Sequence, residues 1–142
     1  MPTYTAEKEL LASRKDVWAF LAEPTRLADW WPGIQGVHPD RRGLAPGARW
    51  KVQGRGRPNV IVGAKASVPG TILFLDVQPP AYASWQFVTD KFDVELRLRE
   101  TAPDRTLARL TVSAPFLGGL RRSLPGRALT RLHSLCQTGA QL

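Results

Sequence analysis

The chain's 142 residues, 43% apolar and 23% charged, suit one globular domain and exclude a disordered, collagen-like or coiled-coil protein. Its one cysteine, Cys136, excludes an intrachain disulfide and any cysteine-based metal cluster. The net charge of +8, mostly arginine, points to acidic ligands, anionic membranes or polyanions as possible partners. No stretch approaches the roughly 18 apolar residues of a membrane span. The opening MPTYTAEKEL also lacks the basic start and apolar run of a secretory signal, so a reducing cytoplasm is the expected setting.

Thr3 to Ala12 alternates weakly and reads as a first strand. Ser13 is a good N-cap, with Asp16 at the third helical position. Val17, Phe20 and Leu21 then follow helical spacing until Glu23-Pro24-Thr25 breaks the run. Leu27, Trp30 and Trp31 continue a second short helical turn, stopped by Pro32-Gly33. Ile34 to Arg41 and Arg49 to Gln53 read as strands separated by Gly43 and Pro46-Gly47. A loop from Gly54 to Pro58 follows, Val60 to Val62 adds a short extended piece, and the strand register up to Gly70 stays open.

Thr71 to Val77 is a nearly continuous apolar strand ended by Pro79-Pro80, and Tyr82 to Thr89 is rich in aromatic and β-branched residues. In the next strand Phe92, Val94, Leu96 and Leu98 alternate with Asp93, Glu95, Arg97 and Arg99, giving one wet and one buried face. Pro103-Asp104 turns the chain into a partner strand with Ala108, Leu110, Val112 and Ala114 on one face. The period then changes. Leu117, Leu120, Leu124, Ala128, Leu132 and Leu135 form an apolar stripe at helical spacing. Pro125-Gly126 interrupts the stripe, so the helix either kinks there or begins at Ser123. No acid follows Asp104, whereas Arg105, Arg109, Arg121, Arg122, Arg127 and Arg131 do, so the last helix carries a basic face.

These elements predict an α+β fold of six to seven antiparallel strands, two short helices after the first strand and one long C-terminal helix. A curved sheet needs its apolar face covered, and only the last helix is large enough to cover it. One helix cannot fill the hollow of a strongly curved sheet, so a cavity between sheet and helix is expected.

Several motifs carry a family resemblance: Val17-Trp18 after the first strand, then Leu21, Pro24, Leu27 and Trp30-Trp31-Pro32-Gly33, with Pro79-Pro80 leading into Trp85 and a hairpin ending near Ser113. The chain thereby resembles the START-like helix-grip (SRPBCC) superfamily, within it the bacterial polyketide cyclase/dehydrase group, over nearly its whole length. The resemblance implies one ligand-binding domain over residues 1–142. Relatives bind lipids, quinones, sterols, hormones or polyketides, and a minority catalyse cyclisation or hydrolysis.

Little in the chain suggests a catalytic constellation. His38 and His133 stand at no metal-ligand spacing and read as surface or packing residues, and Cys136 reads as a core filler on the helix. There is no nucleophile elbow and no glycine-rich phosphate loop. Asp76 interrupts an apolar strand. Aimed into a pocket its proton affinity would rise and it could serve as acid or base, but the expected position is the side away from the pocket or the strand end at Pro79. Glu7 and Glu9 read as solvated edge residues.

The five tryptophans are many for this length. Plain core packing explains each as well as ligand contact does. The binding hypothesis puts Trp31, Trp50 and Trp85 around a pocket with Phe92, Val94, Leu96, Leu120 and Leu124. Arg55-Gly56-Arg57-Pro58 matches the core of a minor-groove-binding AT-hook. Its basic flanks are missing and a hairpin loop explains the same residues, so nucleic acid is disfavoured as a partner. Arg121, Arg122, Arg127 and Arg131 could meet anionic lipid headgroups, or simply form a solvated face.

The expected function is binding of a hydrophobic small molecule, lipid, quinone or polyketide-like, with no metal and no cofactor implied. The alternative is an aromatase/cyclase-type enzyme, which would need a proton-moving side chain inside the pocket. The sequence leaves the oligomeric state open.

Overall fold

The computed structural model describes residues 3–32, 34–54, 68–88, 91–113 and 123–140. Seven strands form one antiparallel sheet: β1 Thr3–Leu10, β2 Ile34–His38, β3 Arg49–Gly54, β4 Val68–Gln78, β5 Tyr82–Phe87, β6 Phe92–Ala102 and β7 Arg105–Ser113. Their order is β1-β7-β6-β5-β4-β3-β2, so each strand from β2 on pairs with its successor and β1 closes on β7. The helices are α1 Arg14–Ala22, α2 Leu27–Trp30, entered through a 3-10 turn at Pro24–Arg26, and α3 Leu124–Ala140.

Period-2 patterning builds the sheet. Val94, Leu96 and Leu98 on β6 lie opposite Val112, Leu110 and Ala108 on β7, and all six are buried. On β1, Tyr4, Ala6, Lys8 and Leu10 take the same face, paired with Val112, Leu110, Ala108 and Thr106. The half-buried Lys8 puts a charge on the inner face of an edge strand, a feature that resists strand addition by another chain. On the outer face, hydroxyl pairs join the same strands: Thr3 with Ser113 at 3.2 Å and Thr5 with Thr111 at 3.1 Å.

One irregularity decides the fate of Asp76. Phe74 lies opposite Trp85, but Asp76 lies opposite Ser84, so Leu75 is the extra residue of a β-bulge. Ile72 and Phe74 are buried; the next buried position is Val77, where unbroken alternation would have placed Asp76. The bulge turns Asp76 outward, where its carboxylate accepts a 2.8 Å hydrogen bond from Gln78 Nε2.

Helix α1 is capped as its sequence predicts. Ser13 Oγ accepts from the Asp16 amide at 3.1 Å, and Val17 is the fully buried anchor. Between the two readings of Pro125, the structure takes the second. Helix α3 starts at Leu124, the Arg127 amide donates to the Ser123 carbonyl at 2.9 Å, and Pro125 lies in the first turn, where its missing N–H has no intrahelical acceptor to lose. Ala128, Leu129, Leu132 and Cys136 form the buried stripe of α3. The helix packs chiefly on β1, and also on β7 and α2. It therefore covers one side of the concave face, while α1 and α2 stand over the middle strands. Among the described residues no helix is long and apolar enough to cross a membrane.

Candidate ligand site

Three short segments close over β3–β6. Helix α1 presents Trp18 and Leu21, and α2 presents Leu27 and Trp30. The loop from Pro39 to Ala48 presents Leu44, and hydrogen bonds fix that loop at several points. The Asp40 carboxylate accepts from the amides of Arg42 at 2.9 Å and Arg49 at 2.8 Å. These two backbone bonds, the one from Arg49 first, hold its pKa below the ordinary aspartate value of 3.8. Trp50 Nε1 donates to the Gly43 carbonyl at 3.0 Å. The Gly47 amide donates to the Phe74 carbonyl at 2.8 Å, and the Phe74 amide to the Ala48 carbonyl at 2.9 Å. Gly43 and Gly47 adopt φ of +67° and +82°, the left-handed region that glycine enters without strain.

Between these segments and the sheet lies a partly open cleft lined by Trp18, Leu21, Leu27, Trp30, Leu44, Trp50, Phe74, Ala83, Trp85 and Leu96. Its space, open mouth included, is about 360 Å³, but the cavity proper measures about 20 Å³. That is room for one water-sized group. Aromatic rings fill the rest: Trp50 meets Phe74 edge-on at 4.5 Å between centroids, and Phe74 lies 5.9 Å from Trp85. None of the described lining residues is ionisable. One of them has an unsatisfied donor, because Trp85 Nε1 is buried without a hydrogen-bond partner.

The residues expected from sequence to surround a pocket are only partly brought together. Trp50, Trp85 and Leu96 line the cleft. Trp31 is not among the lining residues; it meets Trp85 edge-on, 6.0 Å between centroids, and stacks on Phe87 at 5.3 Å. Phe92 continues that column, stacked on Phe87 at 4.4 Å. Val94 is buried in the sheet core, Leu124 packs at the start of α3, and Leu120 lies outside the described residues. This cleft lies under α1 and α2, and no described residue of α3 lines it. Trp18, Leu21, Leu27, Trp30, Leu44, Phe74 and Ala83 complete the lining. The spacing of Trp18 and Leu21 on α1, and of Leu27 and Trp30 on α2, marks a shared helix face in the sequence, whereas nothing there marks Leu44.

The remaining candidates stand elsewhere. Cys136 is buried on α3, and burial pushes its thiol up to about 11, which keeps it protonated and unreactive near neutrality. His38 is exposed at the end of β2 and His133 half-buried on α3. Glu9 meets Arg105 at 3.9 Å and accepts from Thr101, while Glu7 is exposed on β1. Among the described residues no group of three or more His, Cys, Asp or Glu could hold a metal ion. Arg127 and Arg131 are exposed on α3; Arg121, Arg122 and the segment Arg55–Pro58 lie outside the described residues.

Several solved structures share this architecture. CalU16 from Micromonospora echinospora is 21% identical, with 98% of this chain and 78% of that one covered at a TM-score of 0.67. XoxI from Bacillus cereus is 13% identical, with 99% of both chains covered at a TM-score of 0.70. A protein from Arthrobacter aurescens is 13% identical over 96% of this chain and 86% of that one, at a TM-score of 0.71. The fold is a helix-grip. At such identities the likeness is one of fold alone. No family model and no curated protein sequence matches the chain.

Proposed function

We propose that this helix-grip protein reversibly binds an apolar small molecule in the cleft between α1–α2 and strands β3–β6. The observation that carries the reading is the lining: four tryptophans and a phenylalanine around a partly open cleft, with no ionisable side chain among the described lining residues. The enclosed volume limits the mode of binding. A cavity of about 20 Å³ cannot swallow a ring, so the body of a ligand lies in the open cleft and goes deeper only as tryptophan rings rotate aside. Burial of about 300 Å² of apolar surface supplies about 7 kcal/mol before association costs, so micromolar affinity at best is expected.

The all-apolar lining also favours a binder over an aromatase/cyclase. A cyclase must move protons, and the described lining residues include no carboxylate, histidine or lysine to move them. Native mass spectrometry of the purified protein should detect a co-purifying apolar compound. Titration with an apolar fluorescent dye should quench tryptophan emission saturably at one dye per chain. Linear, unsaturable quenching together with a bare protein mass would overturn the reading.

A further inference from the structure

The outer face of the sheet is unevenly charged. Between Asp40 and Asp76 the chain has seven Lys and Arg and no acid. Four of these cations, Arg41, Arg42, Arg49 and Lys51, are described and exposed. Arg49 and Lys51 flank the buried Trp50 on β3, so they project from the face opposite the cleft. Among the described residues none of the four is in an ion pair. The acid beside them, Asp40, engages both carboxylate oxygens with the amides of Arg42 and Arg49.

Apolar side chains stand on the same face. Arg49 lies opposite Leu73 and Lys51 opposite Thr71 on β4, and the Val88 amide donates to the Thr71 carbonyl at 2.9 Å. Leu75, two positions beyond Leu73, is the bulge residue. Leu75 and Val88, 50% and 40% exposed, are the exposed large hydrophobic residues among the described ones, and both border this group of cations. The span from Thr71 to Leu75 is about 13 Å and that from β3 to β5 about 10 Å, so one plane can meet them all.

We infer that this outer face of β3–β5 docks on an anionic lipid bilayer, with the cations at the headgroups and Leu75 and Val88 in the interface. Such docking does not depend on what the cleft binds. Each cation near an anionic leaflet adds attraction that falls off within a Debye length. Aliphatic side chains among the cations gain further by leaving water at the boundary between headgroups and acyl chains. Nucleic acid would offer the cations equivalent phosphates but would leave Leu75 and Val88 without an apolar partner. Asp76, Asp93 and Glu95 stand toward β6, so the anionic surface meets the β3 side most closely.

Co-sedimentation with vesicles tests this. The protein should pellet with phosphatidylcholine vesicles containing about 30% phosphatidylglycerol, not with pure phosphatidylcholine, and added salt should release it. Arg49→Gln with Lys51→Gln should weaken partitioning about thirtyfold. Leu75→Thr with Val88→Thr, which keeps strand propensity, should weaken it about fivefold. Arg127→Gln with Arg131→Gln, on the exposed face of α3, should leave it within about twofold. A second readout needs no variant: in the methyl-labelled wild-type protein, spin-labelled lipid in anionic vesicles should broaden Leu75 and Val88 far more than Leu135 on α3. Absence of binding to anionic vesicles overturns the inference. So does loss of binding in the α3 variant, or broadening centred on Leu135. Saturable binding to duplex DNA, with vesicle binding indifferent to Leu75 and Val88, would mean a polyanion site and not a membrane surface, and overturns it as well.

Discussion

The two sides of the concave face are filled by different chemistry. Under α3, the sheet meets the helix through Leu10, Ala108, Leu110 and Val112 against Ala128, Leu129 and Leu132, all 0–1% exposed. Under α1 and α2, it meets them through Trp30, Trp31, Trp50, Phe74, Trp85 and Phe87. Branched aliphatic side chains can turn through staggered rotamers to fill small gaps. Rigid rings fill such gaps less well; they prefer edge-on and offset contacts, leave space at their corners, and (for tryptophan) carry N–H groups that need acceptors. The aliphatic side is thus suited to holding the fold together, and the aromatic side to holding something else. This is why the cleft lies away from the largest helix and under the two smallest.

The sharpest way to break the comparison is to truncate the aliphatic side. Leu132→Ala should lower unfolding stability by about 2–5 kcal/mol in chemical denaturation, through lost burial and a new cavity, while leaving ligand affinity nearly unchanged. An equal loss of affinity would mean the two sides are not separable. The converse variant fills the aromatic side. Ala83→Val adds two methyl groups beside the void and suits a strand, so ligand affinity should fall about tenfold while stability changes by about 1 kcal/mol. Unchanged affinity would dissociate the cleft from binding.

Two smaller effects concern the loop that closes the cleft. Trp50→Phe removes the bond to the Gly43 carbonyl but keeps the ring against Phe74. Stability should fall by about 1 kcal/mol, and amide hydrogen exchange should quicken between residues 40 and 48 rather than along α3. The last effect depends on pH. The Asp40 pKa is depressed in the folded protein, so the carboxylate stabilises the loop above its ordinary value of 3.8, and this contribution vanishes as pH falls through the lower folded value. The stability difference between wild type and Asp40→Asn should therefore be constant above about pH 5 and shrink toward zero in strong acid. A difference that grows on acidification would reverse the assignment.

Much of this division could be read before any coordinates. Strict alternation in β6 and β7 fixed which faces are buried, because neighbouring side chains of a strand point to opposite faces. Ser13 marked the start of α1, because a hydroxyl there meets an amide that has no intrahelical partner. What escaped were relations between distant segments. The bulge at Leu75 is visible only in the pairing of β4 with β5, although the run of apolar residues around Asp76 hinted at a break in period. The side of the sheet that α3 covers depends on β1 closing on β7, a contact between the two ends of the strand sequence. Without that contact, alternation alone groups Phe92 with the expected pocket residues. In the fold Phe92 stacks on Phe87 and extends the Trp31 column instead. Trp18 and Trp30 stand out by residue type, but where they aim depends on how α1 and α2 dock.

The central claim is the location of the ligand site, and methyl NMR tests it most directly. With Leu, Ala and Val methyls labelled, an apolar dye should shift Leu21, Leu27, Leu44, Ala83 and Leu96, and leave Leu129 and Leu132 on α3 unmoved. Shifts centred on the α3 methyls, with those five unchanged, would contradict the account.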